Sequence, residues 1–325
     1  MNIVEFAKIA GISTATVSRA FHEPKKTRPE TRQRVLDLAD QLGYYPSASG
    51  RALVKGRHDV LCLVWPLEVE GAGALFAQRV LAALTQQLVS NDLDLLICPV
   101  DRQRTATVEH ARRTVQRSRC DAWILLYPRP NDPLIRSLRT SRKPVICLMG
   151  GLEECPEWKS VTLNQSAWID DALARLREQG ARRVLFLGCR QGEPDHEERL
   201  SAFRELAPKH FGNNFLDLPA WPLDEASVGA WIAKEKVDAV IGVDDSAALT
   251  AARACQQRGI SIPKQLQIIG IDDSSDAARA TPSLATFRQP LDEMTGCAVE
   301  LALGKRVRSR KFEAVFVPGG SVRHS

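Results

Sequence analysis

The stretch Ile9 to Phe21, reading IAGISTATVSRAF, decides how this chain is read. It holds two short helical patterns joined by a tight turn at Gly11, the residue type that accepts the positive φ of a sharp helix exit. Upstream, Asn2 and Glu5 stand three apart, the spacing of a capping box, so the first helix starts almost at the first residue. Val4 and Ala7 with Ile9 and Ala10 are expected to form its apolar side. Ser13 is a good N-cap for the second helix. There Val17 and Phe21, four apart, face a small core while Thr14, Ala15, Ser18 and Arg19 face outward. A helix-turn-helix of this kind can lay its second helix in the major groove of DNA.

A third helical pattern runs from about Pro29, a favoured first-turn residue, to Leu42, with Val35, Leu38, Ala39 and Leu42 on one face. Tyr44-Tyr45-Pro46 ends it, and SASGRALV (47–54) follows as one or two amphipathic turns before Lys55-Gly56-Arg57. With these motifs in order, AGIS-x-x-TVSR, TR-x-x-V, Y-x-P and R-x-L, the chain resembles the lactose-repressor (LacI/GalR) family of bacterial transcription regulators.

Charge agrees with that partition. The chain has 44 Lys+Arg and 39 Asp+Glu, a net of +5. Residues 1–57 hold 10 basic and 5 acidic residues, so the head carries +5 and the remainder 34 minus 34, or zero. A basic head on a neutral body suits phosphate attraction. Eight cysteines with no CxxC pair and no zinc spacing, several in apolar strand-like runs, read as reduced core thiols and point to the cytoplasm. No metal and no cofactor is expected. No apolar run approaches the roughly 20 residues of a membrane span, and no export signal opens the chain.

After Arg57 strands and helices alternate. Strands are expected at 60–65, 93–99, 122–126, 145–149, 160–163, 183–187, 239–243 and 266–271. Helices are expected at about 75–90, 105–118, 131–141, 166–179, 197–207, 224–235 and 245–259. Such alternation means parallel sheets flanked by helices, and two consecutive open sheets with a cleft at facing strand ends suit the length. The resemblance implies the same: an all-α helix-turn-helix head (1–46), a hinge (47–57) and an α/β core (58–325) of the two-lobe, type I periplasmic-binding-protein-like fold. It implies three crossings between lobes, near Ser160, Arg288 and Phe312. The N-lobe is then about 58–159 and 288–311, and the C-lobe about 160–287 and 312–325.

In the head, Thr14 and Ala15 open the recognition helix as modest base readers, and Arg19 is the candidate for guanine or, alternatively, a phosphate clamp. Ser13, Thr16 and Ser18 hold phosphates or cap the helix, His22 does either, and Tyr44 offers packing and phosphate contact. The resemblance makes Ser47, Gly50, Arg51 and Leu53 a hinge helix that folds on DNA, with Leu53 wedged into the minor groove. Gly50 stands where the family prefers alanine, which costs a helix roughly 1 kcal/mol.

For the cleft, the resemblance aligns Phe76 with an aromatic after the first strand, Arg199 in EERLSAF with a ligand-gripping arginine, and Asp272 in IIGIDDS with an acid at a strand end. Asp244, in VDD, replaces the usual asparagine. These residues form either a clamp on a sugar-like ligand, with Trp221 as a stacking wall, or a structural salt-bridge network. Trp65 either stacks on a sugar ring or covers its strand end. Met149 and Asn164-Gln165 depart from the family pattern, which leaves the ligand open between a sugar and another metabolite.

An enzyme is the competing class on such a fold. The six histidines join no nucleophile motif, and no G-x-S-x-G, Walker loop or G-x-G-x-x-G occurs, so no catalytic residue is expected. A sugar-binding transport protein would lack the basic head. The expected protein is therefore a cytoplasmic, homodimeric regulator, in most such cases a repressor. Its partners are double-stranded DNA with a pseudo-palindromic operator and a small-molecule effector. The dimer surface is placed on the head-proximal lobe, using Leu75, Val80 and Leu84.

Overall fold

The computed structural model describes residues 1–22, 26–45, 56–67, 72–117, 119–305 and 308–323. The chain divides into two units, Met1–Val60 with Arg119–Asp121, and Leu61–Ser118 with Ala122–Ser325.

In the first unit, α1 (Ile3–Ala10) begins with the full capping box: Asn2 Oδ1 accepts from the Val4 and Glu5 amides, and Glu5 Oε2 accepts from the Asn2 amide. It ends at Gly11 with φ 66°. α2 (Thr14–His22) starts at Ser13, whose Oγ accepts from the Thr16 amide at 3.1 Å. α3 (Pro29–Leu42) starts on its proline and ends at Gly43, φ 60°. The core is Phe6, Ala7, Val17, Ala20, Val35, Ala39 and Tyr44, with Ile3, Ala10, Ile12, Phe21 and Leu38 around it. Val4 and Ile9, expected inside, are exposed, as is Leu42. The inward stripe of α1 is 3, 6, 7 and 10, one phase away from the expected one, because Phe6 has the largest apolar surface to bury.

The second unit holds two six-stranded sheets. The first contains β1 (Val60–Pro66), β2 (Asp94–Val100), β3 (Ala122–Leu126), β4 (Val145–Leu148), β5 (Lys159–Leu163) and β11 (Arg310–Phe312), in the order β11-β5-β4-β3-β1-β2. The second contains β6 (Val184–Leu187), β7 (Phe215–Leu218), β8 (Ala239–Gly242), β9 (Gln267–Ile271), β10 (Ala285–Arg288) and β12 (Val315–Val317), in the order β12-β10-β9-β8-β6-β7. β12 runs antiparallel to β10, while β6, β7, β8, β9 and β10 pair in parallel. The helices are α4 (Ala72–Ser90), α5 (Thr105–Gln116), α6 (Ile135–Thr140), α7 (Gln165–Glu178), α8 (Pro194–Phe211), α9 (Glu225–Glu235), α10 (Asp245–Gln256), α11 (Ser275–Arg279) and α12 (Leu291–Ala302). Central strands such as AWILL and QIIGI are buried throughout, as strands covered on both faces must be.

The strand at Ser160–Leu163 belongs to the first sheet, not the second. Ser160 pairs with Cys147 of β4, and Leu163 with Phe312 of β11. The first crossing therefore lies at Asn164, four residues beyond the expected place. There the Asn164 amide donates to the Phe312 carbonyl at 2.8 Å, and its side chain caps α7 and donates to Glu313. The other crossings follow Arg288 and Phe312.

All eight cysteines are buried and free, and burial pushes the Cys147 thiol up to about 12. Among the described residues no helix is long and apolar enough to cross a membrane.

Phe6→Ala is expected to unfold the first unit alone. Such a truncation costs about 3–5 kcal/mol, comparable to the whole stability of so small a core. Hydrogen exchange should show α1 to α3 unprotected and the two sheets as protected as in the parent.

Candidate functional site

On the head, Ser13, Thr14, Ala15 and Arg19 are exposed along one side of α2, with Thr16 and Ser18 half-buried beside them. Thr16 is committed locally, its hydroxyl 2.9 Å from that of Ser13. Arg19 Nε donates to the Ala15 carbonyl at 3.2 Å, which lays the guanidinium along the helix. Tyr44 keeps only the packing half of its expectation. It is only 3% exposed, stacked on Phe6 at 4.3 Å and edge-on to Phe21, so it closes the core instead of meeting phosphates. Its neighbour Tyr45 is 76% exposed and takes the outward place. The side chain of His22, and Ser47, Gly50, Arg51 and Leu53, lie outside the described residues.

In the second unit the C-terminal ends of both sheets face a polar cleft of two adjoining recesses, of about 40 and 90 Å³. Both are lined by Phe76 of α4, Tyr127 after β3, and Asp195 and Arg199 in the first turns of α8. Arg199 is the centre of the site and only 4% exposed. Its Nε donates to Gln165 Oε1 at 3.1 Å, its Nη1 to the Val243 carbonyl at 2.7 Å, and its Nη2 lies 3.5 Å from Asp195 Oδ2. Gln165 Oε1 also accepts from Trp168 Nε1 at 2.8 Å, which fixes the amide before it meets the arginine. A guanidinium so anchored is a rigid donor fork.

The acids divide into two kinds. Asp244 and Asp272 line the cleft. Asp244 Oδ1 caps α10 through the Ala247 amide, so part of this carboxylate is spent on structure. Asp272 follows β9 at φ 121°, accepts from Gln289 Nε2 at 2.7 Å, and its carbonyl accepts from Arg79 of α4. Burial holds its carboxyl well above the usual range, with Arg199 opposing and Asp245 and Asp244 adding to the shift. Asp245 is structural, accepting from Thr286 Oγ1 at 2.5 Å and from the Ser274 amide at 2.7 Å. Burial pushes it up to about 6 against the lowering by those donors. Burial likewise lowers His196, favouring the neutral imidazole, whose Nδ1 faces the Arg190 amide.

The two tryptophans are not among the residues lining either recess. Trp65 packs partly against the core of the first sheet, and Trp221 covers the Arg190 guanidinium, centred 4.0 Å from it. Sequence reasoning missed Tyr127, Asp195, Glu198 and Gln289. Of these only Asp195 carried a signal, standing one helical turn before Arg199. Across the cleft, Arg129 Nη2 meets Glu193 Oε1 at 2.7 Å, joining the lobes directly. Among the described residues no cluster suits a metal ion.

Residues 2–47 match the family described as "Bacterial regulatory proteins, lacI family", and residues 173–325 match a "Periplasmic binding protein-like domain". The chain belongs to the lacI family. The HTH-type transcriptional regulator AscG of Escherichia coli (strain K12) is 26% identical over 309 residues, covering 90% of this chain and 88% of that protein. A lac repressor dimer bound to operator and the anti-inducer ONPF superposes with a TM-score of 0.79 at 17% identity, covering 99% and 98% of the two chains. The regulator CelR in complex with cellobiose gives 0.67 at 22% identity and 99% of both. As a lacI-family member, the chain is a DNA-binding transcriptional regulator with a ligand-binding domain, and its relatives are regulators, not enzymes.

The acids give a pH test. A carboxyl whose pKa is higher folded than unfolded contributes stability that is full below about pH 4 and lost as pH rises through its folded value. Asp245 therefore makes the core less stable between about pH 4 and 6, and Asp272, raised in the same direction, adds to the fall as pH rises through its own folded value. Urea titrations should show Asp245→Asn with a shallower loss over that interval than the parent. Parallel pH curves would refute the assignment.

Proposed function

We propose that this regulator is a dimeric repressor whose paired heads read the half-sites of a pseudo-palindromic operator and whose cleft takes a sugar as effector. The observation that carries the reading is Arg199, a buried guanidinium held rigidly among Asp195, Asp244 and Asp272, with the ring of Phe76 forming one wall. Alternating fixed donors and acceptors against an aromatic face suits a neutral, hydroxyl-rich molecule, since each hydroxyl both donates and accepts. The recesses are too small for such a ligand as they stand. Entry requires the lobes to part, and the ligand's contacts to both then favour closure. The cellobiose complex of CelR and the operator-bound lac repressor dimer support the reading by likeness of fold.

In this proposal residues 1–46 form the head, 47–57 the hinge with Leu53 as minor-groove wedge, and 58–325 the core, acting in the cytoplasm. The dimer face is assigned to the outer edge of the first sheet. β2 is an edge strand that leaves Leu96 and Ile97 exposed by 38% and 44%, with Leu75 and Val89 of α4 also exposed. An exposed apolar edge of this kind calls for a partner. Val80 and Leu84, expected on that face, are instead fully buried in the core.

Two outcomes test these assignments. Arg199→Lys keeps the charge but loses the fork, so a sugar that raises the parent's melting temperature should bind at least about tenfold more weakly. Duplex binding without effector should stay unchanged, and an undiminished thermal shift would return Arg199 to a purely structural role. Ile97→Asp should convert the dimer to a monomer by light scattering and abolish cooperative occupation of two half-sites. A variant that remains dimeric would move the interface elsewhere.

A further inference from the structure

The core's charges cancel in number but not in space. At the N-terminal ends of β4 and β5, opposite the cleft, lies an open groove of about 570 Å³. Arg139, Arg142, Lys143, Lys159 and Lys305 line it over an apolar floor that includes Leu138 and Ile146. The one acid in its lining, Glu157, is bound to Arg139 at 2.9 Å. Lys305 opens the run KRVRSRK (305–311), five cations in seven residues with no acid. Its described members Arg308, Arg310 and Lys311 are all exposed. Arg142 adopts φ 56° just beyond α6, where glycine would fit without strain, and remains exposed at the rim.

β1 pairs in parallel with β3, and β3 with β4, so Val60 begins at this same end of the first sheet. There the chain arrives from the DNA-binding head through residues 47–57, and eleven residues span at most about 40 Å. The head is thus tethered to the same end of the first sheet as this cation-rich groove, in which Lys305 also lies 3.9 Å from Glu300.

We propose that this groove is a second, sequence-independent DNA contact that takes the phosphate backbone beside the half-site read by the head. Lys and Arg side chains that neutralise phosphates release condensed counterions, so the contact is visible as salt dependence. It contributes affinity and orientation to every duplex and sequence preference to none.

The test uses the full chain and a mixed-sequence duplex of about 40 base pairs, with binding followed by fluorescence anisotropy across a salt series. Lys159→Glu combined with Lys305→Glu is compared with a control, Lys234→Glu combined with Lys264→Glu, which places the same charge change on the second lobe. The groove variant should lose about tenfold in affinity, and its slope of log K against log salt should fall by about 2. The control should match the parent, and equal thermal melts confirm that both variants are folded. A slope in the groove variant equal to the parent's overturns the proposal. Capture of an acidic phosphoserine peptide by the parent but not by the groove variant, with that slope unchanged, would assign the groove to a protein partner instead.

Discussion

A guanidinium taken out of water costs several kcal/mol unless its donors are answered, and Arg199 obtains its answers from three separate elements. Gln165 stands at the start of α7, Val243 just beyond β8, and Asp195 one turn earlier on α8 itself. One charge thus ties the start of α7 and the segment just beyond β8 to the first turns of α8. It also makes the neighbouring acids tolerable. Asp244 and Asp272 share the recess with it, and the positive field of Arg199 opposes the rise that burial imposes on Asp272. The site is therefore structural and receptive at once: the contacts that hold the arginine rigid make it useful to a ligand.

What could be read in the sequence was what is settled locally. The capping box of Asn2 and Glu5, the turn at Gly11 and the cap at Ser13 involve residues within a few positions of one another, and the structure forms each. Apart from β7, the strands of the core up to Ile271 were legible because runs such as AWILL and QIIGI are buried on both faces. Errors entered where distant parts of the chain decide. Tyr44 became core because Phe6 lies beside it, 38 positions earlier in the chain. Val4 and Ile9 were placed inside by a phase shift that only the packing of Phe6 corrects. β7, β10, β11 and β12 have three or four residues each, too few to show a period. Trp65 and Trp221 show that an aromatic near a strand end does not announce which way it points. The charge count found the basic head and concealed the groove, since a sum over 268 residues carries no positions.

The direction of the strands gives the core two unlike ends. Their C-terminal ends meet at the cleft, where polar side chains converge from both sheets, as open parallel sheets arrange them. Their N-terminal ends include the start of β1, where the chain from the head enters. A ligand at one end can influence the other only if the lobes move as bodies, because the buried strands between them do not deform continuously.

The crossings determine how such motion is coupled. Asn164 donates its amide hydrogen to the Phe312 carbonyl and its side chain to Glu313, so the first and third crossings are tied and must move together. The second is tied to the site itself, since Gln289, just beyond β10, donates to Asp272 at 2.7 Å. A ligand that draws Asp272 into its own hydrogen bonds thus competes with Gln289 for the same carboxylate. The cleft and the second crossing are one hydrogen bond apart, so occupancy at Asp272 is felt at that crossing without a long relay. Arg79 adds a direct link, reaching from α4 to the Asp272 carbonyl. Asp272 is therefore joined both to the second crossing through Gln289 and to α4 of the other lobe through Arg79, whereas Arg199 is held by contacts around its own end of the second sheet.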